Sequence, residues 1–228
     1  MGRAKGGMGY MAIKIDLEKA YDKIEWAFIR KMLIAFNFPD NIIDLIMSCV
    51  SSVSTSLIFN GGCLESFLPS QGIRQGNPLS PYLYILYMEY LGYLIEEKCE
   101  AKLWSLVRAL RSGPAFSHIF FANDLVFFPK ADQANCYAIK EVLEVFCKKS
   151  GQNVSEAKSQ VYFSPNVNSD SRDSLANVLG FRLAPNLGKY LGFPHKHSSS
   201  GGSDFDFVLD IVKKEACWLE SKFTLHGG

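Results

Sequence analysis

Asp16, Asp22 and Asp124 stand where chemistry could be done. Asp16 follows the apolar run Met11-Ala-Ile-Lys-Ile15, which reads as a short strand, and Asp22 closes Asp16-Leu-Glu-Lys-Ala-Tyr-Asp22. Asp124 lies far downstream on the tight tip Ala122-Asn-Asp124, between the apolar runs Ile119-Phe-Phe121 and Leu125-Val-Phe-Phe128. An isolated buried carboxylate is costly, so an acid held between buried strands needs a partner. Two carboxylates at the ends of neighbouring strands suit Mg2+, a hard cation bound by carboxylates together with substrate phosphates. The pair is not specific by itself, because 23 acidic residues offer many such pairs. A second feature is the loop Gln71-Gly-Ile-Arg-Gln-Gly-Asn-Pro78. Gly72 and Gly76 permit close backbone approach, and Arg74 and Gln75 offer donors to a polyanion or a base. Alone, such a loop is weak evidence, since most such loops are only turns.

The elements around these residues mix both periodicities. Apolar positions 26, 29, 33 and 36 predict a helix from Glu25 to Phe36, and Asp40 is the expected N-cap of a second helix reaching about Val50. Ser56–Phe59 and Cys63–Phe67 flank Asn60-Gly61 as a hairpin. Helices are expected at 80–98, 132–149 (closed by Gly151), 170–179 and 204–222, with strands at 160–163 and 189–192. The segment 1–10 reads as a flexible basic lead-in and 195–203 as a Ser/Gly-rich linker. The class is α+β.

Composition narrows the function classes. The 228 residues carry a formal charge of +1, so no global basic field marks a nucleic-acid partner. Aromatic residues reach 13%, which excludes disorder of the whole chain. No apolar run approaches the roughly 20 residues of a membrane helix. Position 6 is Gly, not the Ser or Thr that myristoylation of Gly2 would need. The six cysteines form no CxxC pair and read as reduced, mostly buried thiols of an intracellular protein. His195-Lys-His197 reads as solvated linker. The tyrosines at 82, 84, 87, 90 and 93 read as core of one helix, and Lys98, Lys102, Arg108 and Arg111 as a locally basic segment that contacts either phosphates or solvent.

Order adds specificity. Asp16–Asp22, Arg74-Gln-Gly-Asn-Pro-Leu-Ser-Pro81, Phe121-Ala-Asn-Asp124, Ser150-Gly-Gln-Asn-Val-Ser-Glu-Ala-Lys158 and Tyr190-Leu-Gly-Phe-Pro194 follow one another along the chain. The series resembles the palm motifs of reverse transcriptases, most closely those of plant LINE-type (non-LTR) retrotransposons. The resemblance implies a polymerase palm: an antiparallel sheet with packed helices over 11–194 with partial fingers, then a thumb-like connection from 204. It implies RNA-directed DNA synthesis, with an RNA template, a DNA primer, a deoxynucleoside triphosphate (dNTP) and Mg2+. By resemblance Asp16 and Asp124 hold the metal, Leu17 lies beside the triphosphate, and Tyr21 is the gate that rejects a ribose 2′-hydroxyl. Asp22 would be structural, with Glu18 and Lys19 facing solvent or phosphate. Arg74, Gln75 and Gly76 track template and nucleotide, Lys158 neutralises or protonates the leaving pyrophosphate, and Tyr190, Leu191 and Gly192 form the primer grip.

Two departures qualify this. The relatives carry a metal-binding Asp where this chain has Asn123; Asn77 in place of an Asp is a lesser change. An amide offers oxygen without charge, and the fingers and most of the thumb are expected to be missing, so efficient DNA synthesis is not expected. An active palm, a noncatalytic remnant and a host interaction module are the readings that follow. A nuclear location is what the resemblance implies, without a localisation signal in the sequence.

Overall fold

The structure is a computed structural model that describes residues 9–108, 113–121 and 124–185. Its centre is strand β1 (Met11–Ile15), an apolar run in which only Lys14 carries charge. Helices α1 (Trp26–Ala35) and α2 (Asp40–Ser51) follow, then a minimal hairpin of β2 (Ile58–Phe59) and β3 (Gly62–Cys63). The long helix α3 (Ser80–Glu100) leads to the short pair β4 (Val107–Arg108) and β5 (Ala115–Phe116). Then come β6 (His118–Phe121), β7 (Asp124–Phe127), α4 (Gln133–Ser150), β8 (Gln160–Phe163), α5 (Ser169–Leu179) and β9 (Arg182–Leu183).

The main sheet has the order β6-β7-β1-β8-β9. It is antiparallel except at the edge, where β8 and β9 run parallel because the crossover helix α5 returns the chain to the same end. Alternation gives the sheet two different faces. Met11, Ile13, Ile15, Leu125, Phe127, Val161 and Phe163 join the helices in one large core. Ala12, Val126 and Phe128 point the other way, into a small cluster completed by Val107 and Phe116. On α3, Tyr84, Tyr87, Met88, Leu91 and Ile95 recur at helical spacing and are buried, with Tyr87 set between Phe28 of α1 and Phe146 of α4.

Local chemistry sets the ends of the helices. Asp132 caps α4 by accepting from the Asn135 amide at 2.8 Å, and Gly151 ends that helix at φ 79°. Asn168 caps α5 in the same way, and Gly180 ends it at φ 76°.

Several expectations change. Pro39 takes the N-cap position of α2 with extended backbone, which moves Asp40 into the first turn, still at the positive end of the helix dipole. The Asn60-Gly61 turn has the expected positive φ values, 47° and 79°, but only two residues pair on each side, extended by a bridge between Thr55 and Phe67. With no third strand beside it among the described residues, such a hairpin gains little from lengthening. Gly9 and Tyr10 are not part of a loose lead-in. The Gly9 carbonyl accepts from Ala131 N–H at 2.9 Å, and Tyr10 N–H donates to Ser164 Oγ at 2.8 Å.

The tyrosine row splits as well: Tyr84 and Tyr87 are buried, Tyr90 is half-buried, and Tyr82 and Tyr93 face water. A helix presents only one stripe to a core, so one row at this spacing cannot all be buried. Of the described cysteines only Cys136 is buried, its thiol pushed up to about 12 by desolvation. Cys99 and Cys147 are half-buried, and Cys49 and Cys63 are exposed because α2 and the β2–β3 hairpin stand at the margin of the core. Lys98 is engaged with Glu141 of α4 at 2.7 Å, and Arg108 donates to the Gly113 carbonyl. The expected strand at 189–192, the linker, His195, His197, Arg111 and the last helix lie outside the described residues.

His118 on β6 shares a hydrogen bond of 2.8 Å with Ser117 Oγ, and its ring lies 4.3 Å from that of Phe120. Burial pushes its imidazole down from 6.5 to about 4. The unfolded chain therefore takes up this proton first as pH falls, and stability present above about 6.5 is lost toward 4. We expect the urea midpoint to fall between pH 7.5 and 5, and to fall less in His118→Phe. Equal slopes in both proteins would contradict this.

Candidate functional site

The β1–β7 register pairs Lys14 with Val126 and Ile15 with Leu125. Asp16 and Asp124 are the next residues along the two strands, at the same end of the sheet. The two carboxylates thus stand at one end of the β1–β7 pair, and alternation puts Asp124 on a face with Val126. The face is the one that carries Lys14. Its ammonium lies 2.9 Å from Asp124 Oδ1, with side chains 28% and 32% exposed. Lys14 escaped the sequence reading, yet a signal was there: it stands two residues before Asp16, and period-2 alternation puts both on one face. Asn123 lies outside the described residues.

The backbone beyond β1 is fastened on two sides. Toward the segment before β8, Asp16 N–H donates to Ser159 Oγ at 3.1 Å, and the Asp16 carbonyl accepts from Ser155 N–H at 2.8 Å. Leu17 bridges Val154, Glu18 N–H reaches the Asn153 carbonyl at 2.9 Å, and Gln152 Nε2 donates to the Ala20 carbonyl at 2.8 Å. Toward the glycine loop, Ile73 N–H donates to the Tyr21 carbonyl at 2.9 Å and Gly72 N–H to the Ile24 carbonyl at 2.7 Å. Trp26 Nε1 closes on the Gly72 carbonyl at 2.7 Å. Ser159 also escaped the sequence reading, and Gln152 and Ser155 stood in one of the ordered motifs without a role of their own, because polar residues in a loop look like solvent-facing ones.

Tyr21 is half-buried, its ring stacked on Tyr84 of α3 at 4.8 Å and 7°. Leu17 is buried, so its backbone rather than its side chain is what this segment presents. Asp22 is exposed, and its main chain packs against Gly72. Glu18 pairs with Lys23 at 2.6 Å, and that ammonium holds its carboxyl below the ordinary range, with smaller help from Lys158 and Lys19. Lys158 is exposed on the turn before β8, within electrostatic reach of this segment.

Arg74, Gln75 and Gly76 are exposed on a turn held by Ser80 Oγ, which donates to the Arg74 carbonyl at 2.7 Å. Asn77 Oδ1 accepts from Leu79 N–H at 2.9 Å, a task that an Asp carboxylate performs equally well. Arg74 and Lys19 line one cleft of about 580 Å³ with Trp26, Thr55 and Phe67. Asp16 with Asp124, the Tyr21 segment with the Arg74 loop, and Lys158 with Glu18 are thus brought into one region. Tyr190, Leu191 and Gly192 lie outside the described residues.

The two loop glycines do different work. A Cβ on Gly72 (φ 87°) would stand 2.7 Å from the Asp22 carbonyl oxygen, whereas one on Gly76 (φ 83°) would meet nothing within 4 Å. Gly72→Ala is expected to cost about 2 kcal/mol or more, and Gly76→Ala about 1, the strain of a positive φ alone. Denaturant unfolding of the two variants checks this, and equal losses would refute the close approach.

The sequence pattern of the family described as "Reverse transcriptase (RNA-dependent DNA polymerase)" matches residues 3–195. The Pol polyprotein of the type-2 retrotransposable element R2DM of Drosophila melanogaster is 33% identical over 114 residues, 50% of this chain and 10% of that protein. The corresponding type-1 R2 polyprotein of Popillia japonica is 29% identical over 127 residues, 55% of this chain and 20% of that protein. An uncharacterized mitochondrial protein of Arabidopsis thaliana is 40% identical over 67 residues, 29% of this chain and 55% of that protein. The chain thus spans only a small part of the two polyproteins. Apo telomerase from Candida tropicalis superposes with a TM-score of 0.53 at 17% identity, over 73% of this chain and 33% of that one. Telomerase of Candida albicans, solved with a fragment of telomeric RNA, gives 0.52 at 17% identity, over 70% of this chain and 27% of that one. These two share the fold. With a match running through nearly the whole length, the chain belongs to the reverse transcriptase (RNA-dependent DNA polymerase) family.

Proposed function

We propose that the chain is the palm-centred part of a plant LINE-type non-LTR retrotransposon reverse transcriptase, which extends a DNA primer on an RNA template. The observation that carries this reading is the juxtaposition of Asp16 and Asp124 at one end of a sheet, beside a Tyr21 ring held by Tyr84. The palm with partial fingers occupies 11–194, a linker 195–203 and the start of a thumb 204–228. The product would work in the nucleus, where its template and target meet.

Among the described residues no group of three or more His, Cys, Asp or Glu side chains converges on one point. Two carboxylates on an open face nevertheless fit Mg2+, which completes its shell with water and substrate phosphate. Asp16 and Asp124 would hold it, and when bound it neutralises charge on the attacking and leaving oxygens. In the reaction the primer 3′-oxygen forms a bond to the α-phosphorus of the dNTP, and the bond from that phosphorus to the bridging oxygen of pyrophosphate breaks. This chain's residues contribute position and charge, the main sources of catalysis in phosphoryl transfer. Tyr21 fills the volume that a 2′-hydroxyl needs. Gly76, uncovered by protein, lets the loop backbone meet the new base pair, with Arg74 and Gln75 as donors. Lys158 supplies a proton or positive charge to pyrophosphate. Tyr190, Leu191 and Gly192 would seat the primer end.

Asn123 favours a second reading, a palm that keeps this architecture and has lost turnover. Losing even an outer partner of a metal site costs about 10–100-fold, and a direct carboxylate ligand more. Primer extension on an RNA template with Mg2+ is the test, with an intact relative's fingers and thumb grafted around this palm. Asn123→Asp is expected to raise incorporation by about 100-fold or more over the Asn123 form. Comparable activity in both would sink the assignment of position 123 as a limiting ligand. Absence of activity in both would sink the polymerase reading of the palm.

A further inference from the structure

We propose that Lys14 is a resident counterion of Asp124 that a divalent cation must displace, so that this lysine sets the metal affinity of the carboxylate pair. The inference rests on the polymerase reading of the site and concerns a residue to which that reading gives no part.

The register leaves Lys14 few partners. Its cross-strand neighbours are Val126 on β7 and Gln160 on β8, neither of them charged. Along its own face stand Ala12, which is buried, and Asp16. Asp124 is the diagonal neighbour across β7, within reach of a long side chain, and the ammonium settles there at 2.9 Å. One oxygen of the carboxylate assigned to the metal is thus already occupied by a cation. Asp16, Asp124 and one ammonium leave a single net negative charge at this end of the sheet.

A pair this open to water exchanges readily and is worth little, so it modulates a competing cation rather than excluding it. Exposed pairs correspond to about a two- to fivefold change in an equilibrium. The consequence is an order of events: the bare site holds a divalent cation weakly, and the cation arrives with the phosphates of its nucleotide.

Mn2+ serves as the probe, its binding to the full chain read from loss of the free-ion electron paramagnetic resonance signal at low ionic strength. Lys14→Met is expected to bind Mn2+ about two- to fivefold more tightly than the native chain, and Lys14→Arg to match it. Asp124→Asn should weaken binding, and Lys14→Met should then add no further gain. Thermal unfolding midpoints taken alongside identify any variant that loses its fold, and Lys14→Gln then replaces Lys14→Met. Unchanged or weaker binding in the neutral variant overturns the proposal. So does a gain of the same size in the Asp124→Asn background, which would mean diffuse charge rather than this pair. Absence of Mn2+ binding in every form also overturns it. The polymerase reading is read separately, from fluorescence anisotropy of a labelled RNA–DNA duplex titrated with the protein in EDTA, where Lys14 and the metal have no bearing on each other.

Discussion

Residues 16–25 leave the central strand with Leu17, Ala20 and Ile24 buried, and buried main-chain groups must find partners within the protein. Loops far apart in sequence supply them. Residues 153–159 take the hydrogen bonds on one side and residues 72–73 those on the other, while Glu25 N–H reaches the Ser150 carbonyl at 3.3 Å. An unpaired buried amide would cost about 1–3 kcal/mol, so this lacing holds together what a side-chain contact could not. It also explains the glycines at the seams. A Cβ on Gly151 would lie 2.6 Å from Glu25 Cγ and 2.9 Å from the Lys23 carbonyl oxygen, the counterpart of the approach at Gly72. Asp16, Tyr21, the Arg74 turn and the Lys158 turn are therefore placed by main chain. Their side chains can change charge without moving the frame.

The two faces of the sheet divide the labour. One packs with the helices in the large core and supplies its cohesion; among the described residues the other is covered where β4 and β5 meet Val126 and Phe128. Past that cover the sheet bears Lys14, Asp16 and Asp124. Their partial exposure keeps the desolvation cost low and leaves the ion pair exchangeable.

Much of this was legible in the sequence, for identifiable reasons. Short apolar runs marked β1 and β7, helical spacing marked α1, and Gly151 marked the end of α4. The ordered motifs carried the family and the acids at 16 and 124. What was not legible depends on pairing. Nothing in Met11-Ala-Ile-Lys-Ile15 says which strand lies beside it, so the diagonal between Lys14 and Asp124 appears only once the register is known. Nor does a polar loop announce that Ser155, Ser159 and Gln152 turn inward to serve another segment's backbone. The parallel β9 was hidden for the same reason, whereas the split of the tyrosine row follows from helical spacing that the sequence already carries.

The margin of the fold shows where this cohesion ends. Helix α2 buries only Ile43, and the hairpin after it leaves Ile58 81% and Phe59 66% exposed. Regions with few buried contacts open at lower free energy than the core that carries them. The cleft that holds Arg74 and Lys19 has one wall of each kind. Thr55, Val53 and Phe67 belong to the thinly packed region, whereas Lys19, Asp22 and Gly72 belong to the laced backbone. A cleft built in this way can widen or narrow by movement of one wall while the carboxylates keep their register. That separation of soft wall from rigid frame is what the packing provides.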